Sequence, residues 1–177
     1  YFKLNDKTYI LSSGFMDLKR KISELDIYFR YSPSIDLWNS SGEWKRIIPN
    51  ITKETLIENC LKSLKESISF FLKNNKLKIN LHLIHDGSND EFNNKLLKIL
   101  EDNQFQVNLH KSKINGNRGS YLECCDQAKG ANDLIMFVED DYLFEEHCIE
   151  EIIYSYSRIS TMLDRDIFLC PSDYPFF

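Results

Sequence analysis

The sequence predicts an α/β fold in which helices flank both faces of a mainly parallel sheet. Short runs rich in β-branched and aromatic residues alternate with longer amphipathic segments from residue 26 to residue 170. Several of the short runs lead directly into polar or acidic residues, as expected where parallel strands deliver side chains to one edge of a sheet. The chain has 177 residues, of which 42% are hydrophobic, and this suffices for one domain with a sizeable core.

The elements before residue 32 are predicted from turn residues and periodicity. Residues 1–13 are predicted to form a hairpin or an edge segment. Residues 14–24 are predicted to form a short helix, because their apolar side chains recur with helical spacing at Phe15, Leu18 and Ile22. Residues 26–31, Asp-Ile-Tyr-Phe-Arg-Tyr, are the first predicted strand of the main sheet.

An irregular segment follows this strand. Residues 35–50 are predicted to form a loop whose tryptophans, Trp38 and Trp44, serve either as a stacking platform for a sugar or base or as a lid on the domain itself. Thr52 is the predicted N-cap of a helix that extends to about Leu72. The remaining elements alternate, with strands predicted at 78–84, 105–109, 134–138 and 167–170, and helices at 91–102, 119–129 and 145–162.

Three carboxylates follow the strand predicted at residues 134–138, which is expected to be buried on both faces. We name Glu139, Asp140 and Asp141 the acidic triplet. Adjacent negative charges repel one another in a partly dry site, and carboxylate oxygens suit hard divalent cations such as Mg²⁺ or Mn²⁺. The triplet is therefore a candidate metal site, and the alternatives are a cap for the helix that starts near Glu145 or a solvated loop.

Composition narrows the classes of partner. The net charge of −5 argues against a nucleic-acid-binding protein. No run of 18 apolar residues is present, so no membrane span is predicted. The five cysteines form no disulfide framework, which favours a reducing, cytoplasmic setting, with association at a membrane surface left open.

Four motifs now occur in a fixed order. Residues 57–64 read Ile-Glu-Asn-Cys-Leu-Lys-Ser-Leu, residues 86–90 read Asp-Gly-Ser-Asn-Asp, Asn117 and Gly119 open a helix, and the acidic triplet ends a strand. From about residue 26 to residue 170 this pattern resembles the family 2 glycosyltransferases of the GT-A fold. The resemblance implies a Rossmann-like nucleotide-diphospho-sugar transferase fold.

The resemblance also implies an activity and a donor site. The expected reaction moves a sugar from a nucleotide-diphospho-sugar donor to a hydroxyl of a glycan, lipid or protein acceptor, in a setting such as polysaccharide biosynthesis. Asp86 would bind the nucleobase or ribose of the donor, with Gly87 and Ser88 beside it and Asn117 at the start of the next helix. A sugar nucleotidyltransferase is disfavoured, because residues 31–34 lack the glycine-rich loop that this class requires.

The resemblance assigns roles to the acidic triplet as well. Asp141 would ligate Mn²⁺ or Mg²⁺, and Glu139, at the first acid position, would contact the ribose or the metal. Asp140 is counted with the donor-binding residues, although a middle residue can point elsewhere.

Basic side chains near these ends are donor-binding candidates. Arg30 lies near the end of the first strand, within reach of a base or phosphate, and is alternatively a surface cation. Arg118 would add positive charge near the diphosphate, and it too is alternatively a surface residue. His82 and His85 are placed on one face of the second strand and are expected to be structural, with a metal-binding pair as the alternative.

The catalytic base is the least defined part of the predicted site. Asp173 is the candidate base, and its alternatives are an acceptor ligand or an ordinary turn residue. We expect residues 1–177 to form one catalytic domain that lacks part of its C-terminal acceptor region. The competing hypothesis is a degenerate transferase that acts as a carbohydrate-binding or assembly module without catalysis.

Overall fold

The structure is a computed structural model, and it describes residues 2–5, 8–10, 17–34 and 51–171, with the backbone alone for the first two ranges. The described elements, in chain order, are β1 (Phe2–Asn5), β2 (Thr8–Ile10), β3 (Glu24–Tyr31), α1 (Lys53–Asn74), β4 (Lys78–His85), α2 (Asp90–Ile99), β5 (Gln106–Lys111), α3 (Asn117–Ala128), β6 (Leu134–Glu139) and α4 (Cys148–Leu163). The strands β1 and β2 pair antiparallel, as the predicted hairpin requires.

The strand β3 lies inside the main sheet and is buried along almost its whole length. The strand order is β5-β4-β3-β6, and every pairing is parallel. This arrangement confirms the predicted α/β fold. In its register, Arg30 of β3 lies opposite both Ile84 of β4 and Glu139 of β6. The carboxyl ends of these three strands therefore meet at one edge of the sheet.

Helices cover the two faces of the sheet unequally. On one face, Leu25 and Ile27 of β3 pack with Leu64 of α1 in the main core, to which α2 and α4 also contribute. On the other face, Tyr28 packs with Cys124 of α3 in a smaller cluster. Burial of each large apolar side chain contributes about 1.5–3 kcal/mol, so most of the stability of the fold comes from the face covered by three helices.

The helix α1 begins where the sequence predicts. The Thr52 hydroxyl accepts a hydrogen bond from the backbone N–H of Thr55 at 3.1 Å, which confirms Thr52 as the N-cap. The helix has 22 residues, and its buried residues fall on one side. Among the described helices, none combines the length and the apolar character needed to cross a membrane.

Two predicted elements are wrong. Residues 17–23 are not helical, and residues 14–16 lie outside the described range. The backbone N–H and hydroxyl of Ser23 both donate to Asp133, at 2.7 and 2.9 Å, and the Lys19 N–H donates to the Thr161 hydroxyl at 3.1 Å. Tertiary contacts thus replace helical hydrogen bonds. Residues 167–170 pair with none of the described strands, and Phe168 is 89% exposed.

The burial predicted for residues 134–138 is also wrong for one face. Ile135 and Phe137 are each 40% exposed. The strand β6 is at the edge of the described sheet, and α3 packs mainly over β3 and β4, with the Tyr121 ring 6.2 Å from that of Phe137 of β6. An edge strand with a helix on one side only keeps one face partly open to solvent.

A row of polar side chains crosses the sheet beneath α3. His82 Nε2 lies 3.1 Å from Asp26 Oδ1, and His82 Nδ1 lies 3.1 Å from His110 Nε2. The His82 ring stacks on Tyr28 at a centroid distance of 4.6 Å. His85 belongs to the opposite face, so the expectation that His82 and His85 share a face is wrong. The two residues are three apart, and side chains alternate along a strand.

His85 is a buried histidine at the end of β4. It is 7% exposed, its ring lies 6.1 Å from that of Tyr31, and its Nδ1 has no hydrogen-bond partner among the described residues. Burial, followed by the positive charge of Lys111, lowers the pKa of His85, although Asp86 and Asp90 act in the opposite direction. His85 therefore binds a proton more weakly in the folded chain than in the unfolded chain.

This difference predicts a pH dependence of stability. The unfolded chain gains protons as the pH falls below about 6.5, the ordinary histidine pKa, so the free energy of unfolding should decrease there. His85→Gln should make that decrease shallower, and His110, whose pKa burial also lowers, accounts for part of the remaining slope. Urea unfolding over a pH series measures both slopes. Equal slopes for the variant and the wild type would contradict the assignment to His85.

Candidate functional site

The site residues predicted from the sequence meet at the carboxyl edge of the sheet. Arg30 is the next-to-last residue of β3, Asp86 follows β4, and Glu139 is the last residue of β6. Asn117 opens α3 close to the same edge, where its backbone and side-chain oxygens both accept hydrogen bonds from Arg30. The pairing order of the sheet thus brings together side chains that lie far apart in the sequence.

Asp86 is held by hydrogen bonds to three residues from two segments of the chain. It is 6% exposed, and its backbone N–H donates to the Tyr31 carbonyl at 3.1 Å. The Ser32 hydroxyl donates to the Asp86 carbonyl at 2.9 Å, and the Gly116 N–H donates to Asp86 Oδ2 at 2.6 Å. The carboxylate therefore anchors the segment before α3 and retains acceptor capacity for a further donor, since an ionised carboxylate has about four lone-pair sites.

Gly87 and Ser88 connect Asp86 to α2. Gly87 has φ +70°, and a Cβ there would lie 2.7 Å from the Ser34 hydroxyl oxygen, so both conformation and space favour glycine. Asn89 is the N-cap of α2, with its side-chain oxygen accepting from the Phe92 N–H at 2.8 Å. Ser88 is half-buried between them. The Asp-Gly-Ser-Asn motif is thus a sharp turn that ends in a helix cap.

Arg30 joins three elements at this edge. Its guanidinium forms an ion pair with the Glu139 carboxylate and hydrogen-bonds the Asn117 side chain. It also donates to the Asn117 carbonyl at 2.9 Å and to the Ser120 hydroxyl at 3.4 Å. The Arg30 side chain is only 15% exposed, so the prediction of a free surface cation does not describe it. Arg118, by contrast, is exposed and forms no ion pair with a described residue.

The three acids of the triplet have different surroundings. Glu139 is paired with Arg30, as above. Asp140 is 8% exposed, and its carboxylate lies 2.5 Å from Lys53 Nζ and accepts from the Ser32 N–H at 3.1 Å. Asp141 is exposed and has no basic side chain within ion-pair distance among the described residues.

The charge of Asp141 is affected by its neighbours. Partial burial of its carboxyl group, followed by the negative charge of Asp140, raises the pKa of Asp141, and Glu139 acts in the same direction. Lys53 opposes this effect. A cation beside Asp141 would relieve this repulsion.

The carboxylates at this edge fit a divalent cation that completes its coordination with substrate oxygens. Within residues 17–34 and 51–171, no group of three or more His, Cys, Asp or Glu side chains is arranged to hold a metal by itself. Mg²⁺ is commonly held by one or two carboxylates together with substrate phosphates. Asp141 meets that requirement, and Glu139 offers a second carboxylate that it shares with Arg30.

Lys53 and Ser32 were not predicted from the sequence as site residues. Lys53 is the first residue of α1, and a cation at a helix N-terminus is unfavourable to the helix dipole. That placement was a signal in the sequence that an acidic partner lies nearby. Three other predicted residues, Asp173, Trp38 and Trp44, lie outside the described part of the chain.

Gly119 explains why a glycine stands two residues after Asn117. A Cβ on Gly119 would lie 1.9 Å from the Ile114 carbonyl oxygen. This clash could be relieved only by a shift of the backbone. The glycine therefore lets residues 114–116 fold against the first turn of α3. In that position Gly116, with φ +95°, presents its N–H to Asp86.

Gly119→Ala should lower the free energy of unfolding by about 1–3 kcal/mol, because the added methyl group overpacks this contact. The matched control is Gly130→Ala, where the added Cβ would lie 3.5 Å from the Gln127 carbonyl oxygen, an ordinary contact. The control should be neutral or stabilising by up to about 1 kcal/mol. Urea unfolding of both variants measures the difference, and equal stability would contradict the close approach at Gly119.

Comparison with known proteins agrees with this geometry. A search of curated proteins finds no match to the chain. A family model described as glycosyl transferase family 2 matches residues 47–162, which is 116 of 177 residues and includes Asp86, Asn117 and the acidic triplet. The matched region also contains α1, β4 and every later described element up to α4, apart from the last residue of that helix. The chain therefore belongs to glycosyl transferase family 2, and its general activity is that of a glycosyltransferase.

Proposed function

We propose that this chain transfers a sugar from a nucleotide-diphospho-sugar donor to an acceptor hydroxyl, and that the reaction depends on Mn²⁺ or Mg²⁺. One observation carries the proposal: Asp86, Arg30 and the acidic triplet converge at a single sheet edge. Asp141 is the acid of the triplet without a basic partner among the described residues, and it is the proposed metal ligand. Glu139 is the proposed second ligand or ribose contact.

The negative charge of the acidic triplet is compatible with a bound diphosphate only if a cation lies between them. Departure of the leaving group adds negative charge to a nucleoside diphosphate, and the acidic triplet by itself would repel that charge. A bound divalent cation supplies Lewis-acid stabilisation of the developing negative charge. Asp141 is suited to hold such a cation because the residue lies at the surface and its carboxylate forms no ion pair with a described basic side chain.

The nucleoside part of the donor is assigned to the side of the site formed by β4. Asp86 is held in place by Gly116 and Ser32, and its carboxylate retains capacity for a hydrogen bond from a nucleobase or ribose. Gly87 and Ser88 border the same space because they continue the chain from Asp86. Rigid placement of such a carboxylate favours binding, since little side-chain freedom is lost when the donor arrives.

Positive charge on the other side is assigned to the phosphates. The N-terminus of α3, which begins at Asn117, points its unpaired N–H groups and the positive end of its dipole away from the helix body. Arg30 lies against this helix start, and Arg118 is exposed in the first turn. These three features would together favour the donor diphosphate, with Arg30 also holding Glu139 and Asn117 in place.

The acceptor side of the proposal includes Asp173 as the candidate base that removes the proton of the acceptor hydroxyl. The proposed acceptors are a glycan, a lipid or a protein, as in polysaccharide biosynthesis. Transfer and hydrolysis assays with a nucleotide sugar test catalysis separately from binding. Donor binding without turnover in the complete chain would favour the non-catalytic module.

A thermal-shift screen of nucleoside diphosphates, with and without Mn²⁺, tests the proposed donor site. At least one nucleoside diphosphate should stabilise the wild-type protein with Mn²⁺, by about 2.7 kcal/mol at one hundred times its Kd. Asp141→Asn should weaken this binding by about tenfold or more, or about 1.4 kcal/mol. Asp86→Asn should weaken it with or without metal.

The matched control is Asp126→Asn, which removes an exposed acid from the last turns of α3, where Asp126 pairs with Lys129. This variant should bind like the wild type. Equal binding by Asp141→Asn and the control, or binding of no nucleoside diphosphate by the wild type, would contradict the proposal.

A further inference from the structure

The helix α1 holds the chain between β6 and α4 at several points along its length. Its side chains contact the acidic triplet and the residues after it. The contacts are Lys53 Nζ to Asp140 Oδ1 at 2.5 Å, Cys60 Sγ donating to the Glu139 carbonyl at 3.5 Å, the Ser63 hydroxyl accepting from Phe144 N at 3.1 Å and the Ser67 hydroxyl accepting from Ile149 N at 3.0 Å. One helix therefore sets the path of the chain that carries the triplet.

Two of these residues belong to the motif at residues 57–64. Cys60 is 1% exposed, and burial raises its pKa to about 12, so it remains a thiol that donates a hydrogen bond. Ser63 contacts the backbone beyond the triplet. The motif thus has a physical role in this chain, which is to hydrogen-bond the backbone within and just after the acidic triplet.

Lys53 makes the ion pair among the four contacts. Its side chain is 14% exposed and that of Asp140 is 12% exposed, so both charges are largely removed from water. The second oxygen of Asp140 accepts from the Ser32 N–H. Burial of two charges is costly unless the geometry is good, and such a pair contributes little net stability compared with apolar residues. Orientation of the chain is the better explanation for this pair.

Lys53 is poorly placed to bind a ligand directly. Its ammonium group is engaged by Asp140 and is mostly buried. Its position at the first residue of α1 also opposes the helix dipole, at a cost of about 0.3–1 kcal/mol. Its effect on the site therefore passes through Asp140.

We propose that Lys53 is a positioning residue for Asp141. By drawing Asp140 into the protein together with the Ser32 N–H, it leaves the next residue, Asp141, projecting at the sheet edge where the cation binds. Arg30 restrains Glu139 on the other side of Asp140. This inference rests on the proposed function, because it presumes that Asp141 ligates a metal.

Titration of the purified chain with Mn²⁺ alone, followed by the electron paramagnetic resonance signal of free Mn²⁺, tests the inference. Lys53→Met removes the cation and keeps a long side chain. It should weaken Mn²⁺ binding by about tenfold or more, as loss of outer-shell partners of metal ligands typically does. Lys53→Arg should retain most of the affinity. The control is Lys62→Met, which removes an exposed lysine of the same helix and should leave Mn²⁺ affinity unchanged.

The sign of the effect separates positioning from simple charge. Removal of the Lys53 charge would remove its repulsion of a nearby cation, so Coulomb interactions alone would strengthen cation binding. Unchanged or tighter Mn²⁺ binding by Lys53→Met would therefore overturn the positioning role and leave the proposed metal site intact. Absence of Mn²⁺ binding by the wild-type protein would overturn both.

A double variant covers the case in which Lys53→Met alone does not fold. Lys53→Met combined with Asp140→Asn removes both charges, so no unpaired charge remains buried and the local net charge is unchanged. Coulomb attraction alone then predicts no change in Mn²⁺ affinity. The positioning role predicts weaker binding, and unchanged affinity in the folded double variant would overturn it.

Discussion

Mutual repulsion among three consecutive carboxylates is the constraint on which this site depends. Two unit charges about 4 Å apart interact by about 4 kcal/mol at the effective dielectric near a protein surface. The fold gives each of the three acids a different electrostatic environment. Arg30 pairs with Glu139, Lys53 pairs with Asp140, and Asp141 keeps its charge without a described basic partner. One negative charge therefore remains uncompensated, at a residue exposed beside the sheet edge.

The partners of these acids come from distant parts of the chain, and the sheet order explains how they meet. Arg30 is 109 residues from Glu139, and Lys53 is 87 residues from Asp140. Because β3 lies between β4 and β6, its end borders both Asp86 and the acidic triplet. Hydrogen bonds among the site's own residues then hold these side chains in place. Such preorganisation reduces the cost of ordering side chains when a ligand binds.

Much of the fold and of the site could be predicted from local sequence. Runs of aromatic and β-branched residues identified β3 and β4, and position at a strand end singled out the acidic triplet. The resemblance to family 2 glycosyltransferases added Asp86. Local pattern failed where tertiary contacts decide the outcome. Residues 17–23 have helical spacing, but their polar groups hydrogen-bond Asp133 and the end of α4. Residues 167–170 have the composition of a strand, but they pair with no described strand. The roles of Lys53 and Arg30 depend on pairing across the fold, which spacing alone does not reveal.

The central claim is that a cation at Asp141 joins the protein to a diphosphate, and anomalous X-ray scattering from crystals grown with Mn²⁺ and a nucleoside diphosphate tests it most directly. The account predicts an anomalous peak about 2.1 Å from a carboxylate oxygen of Asp141, with diphosphate oxygens completing the coordination. A peak at another surface of the protein, or a diphosphate bound away from the acidic triplet, would contradict it.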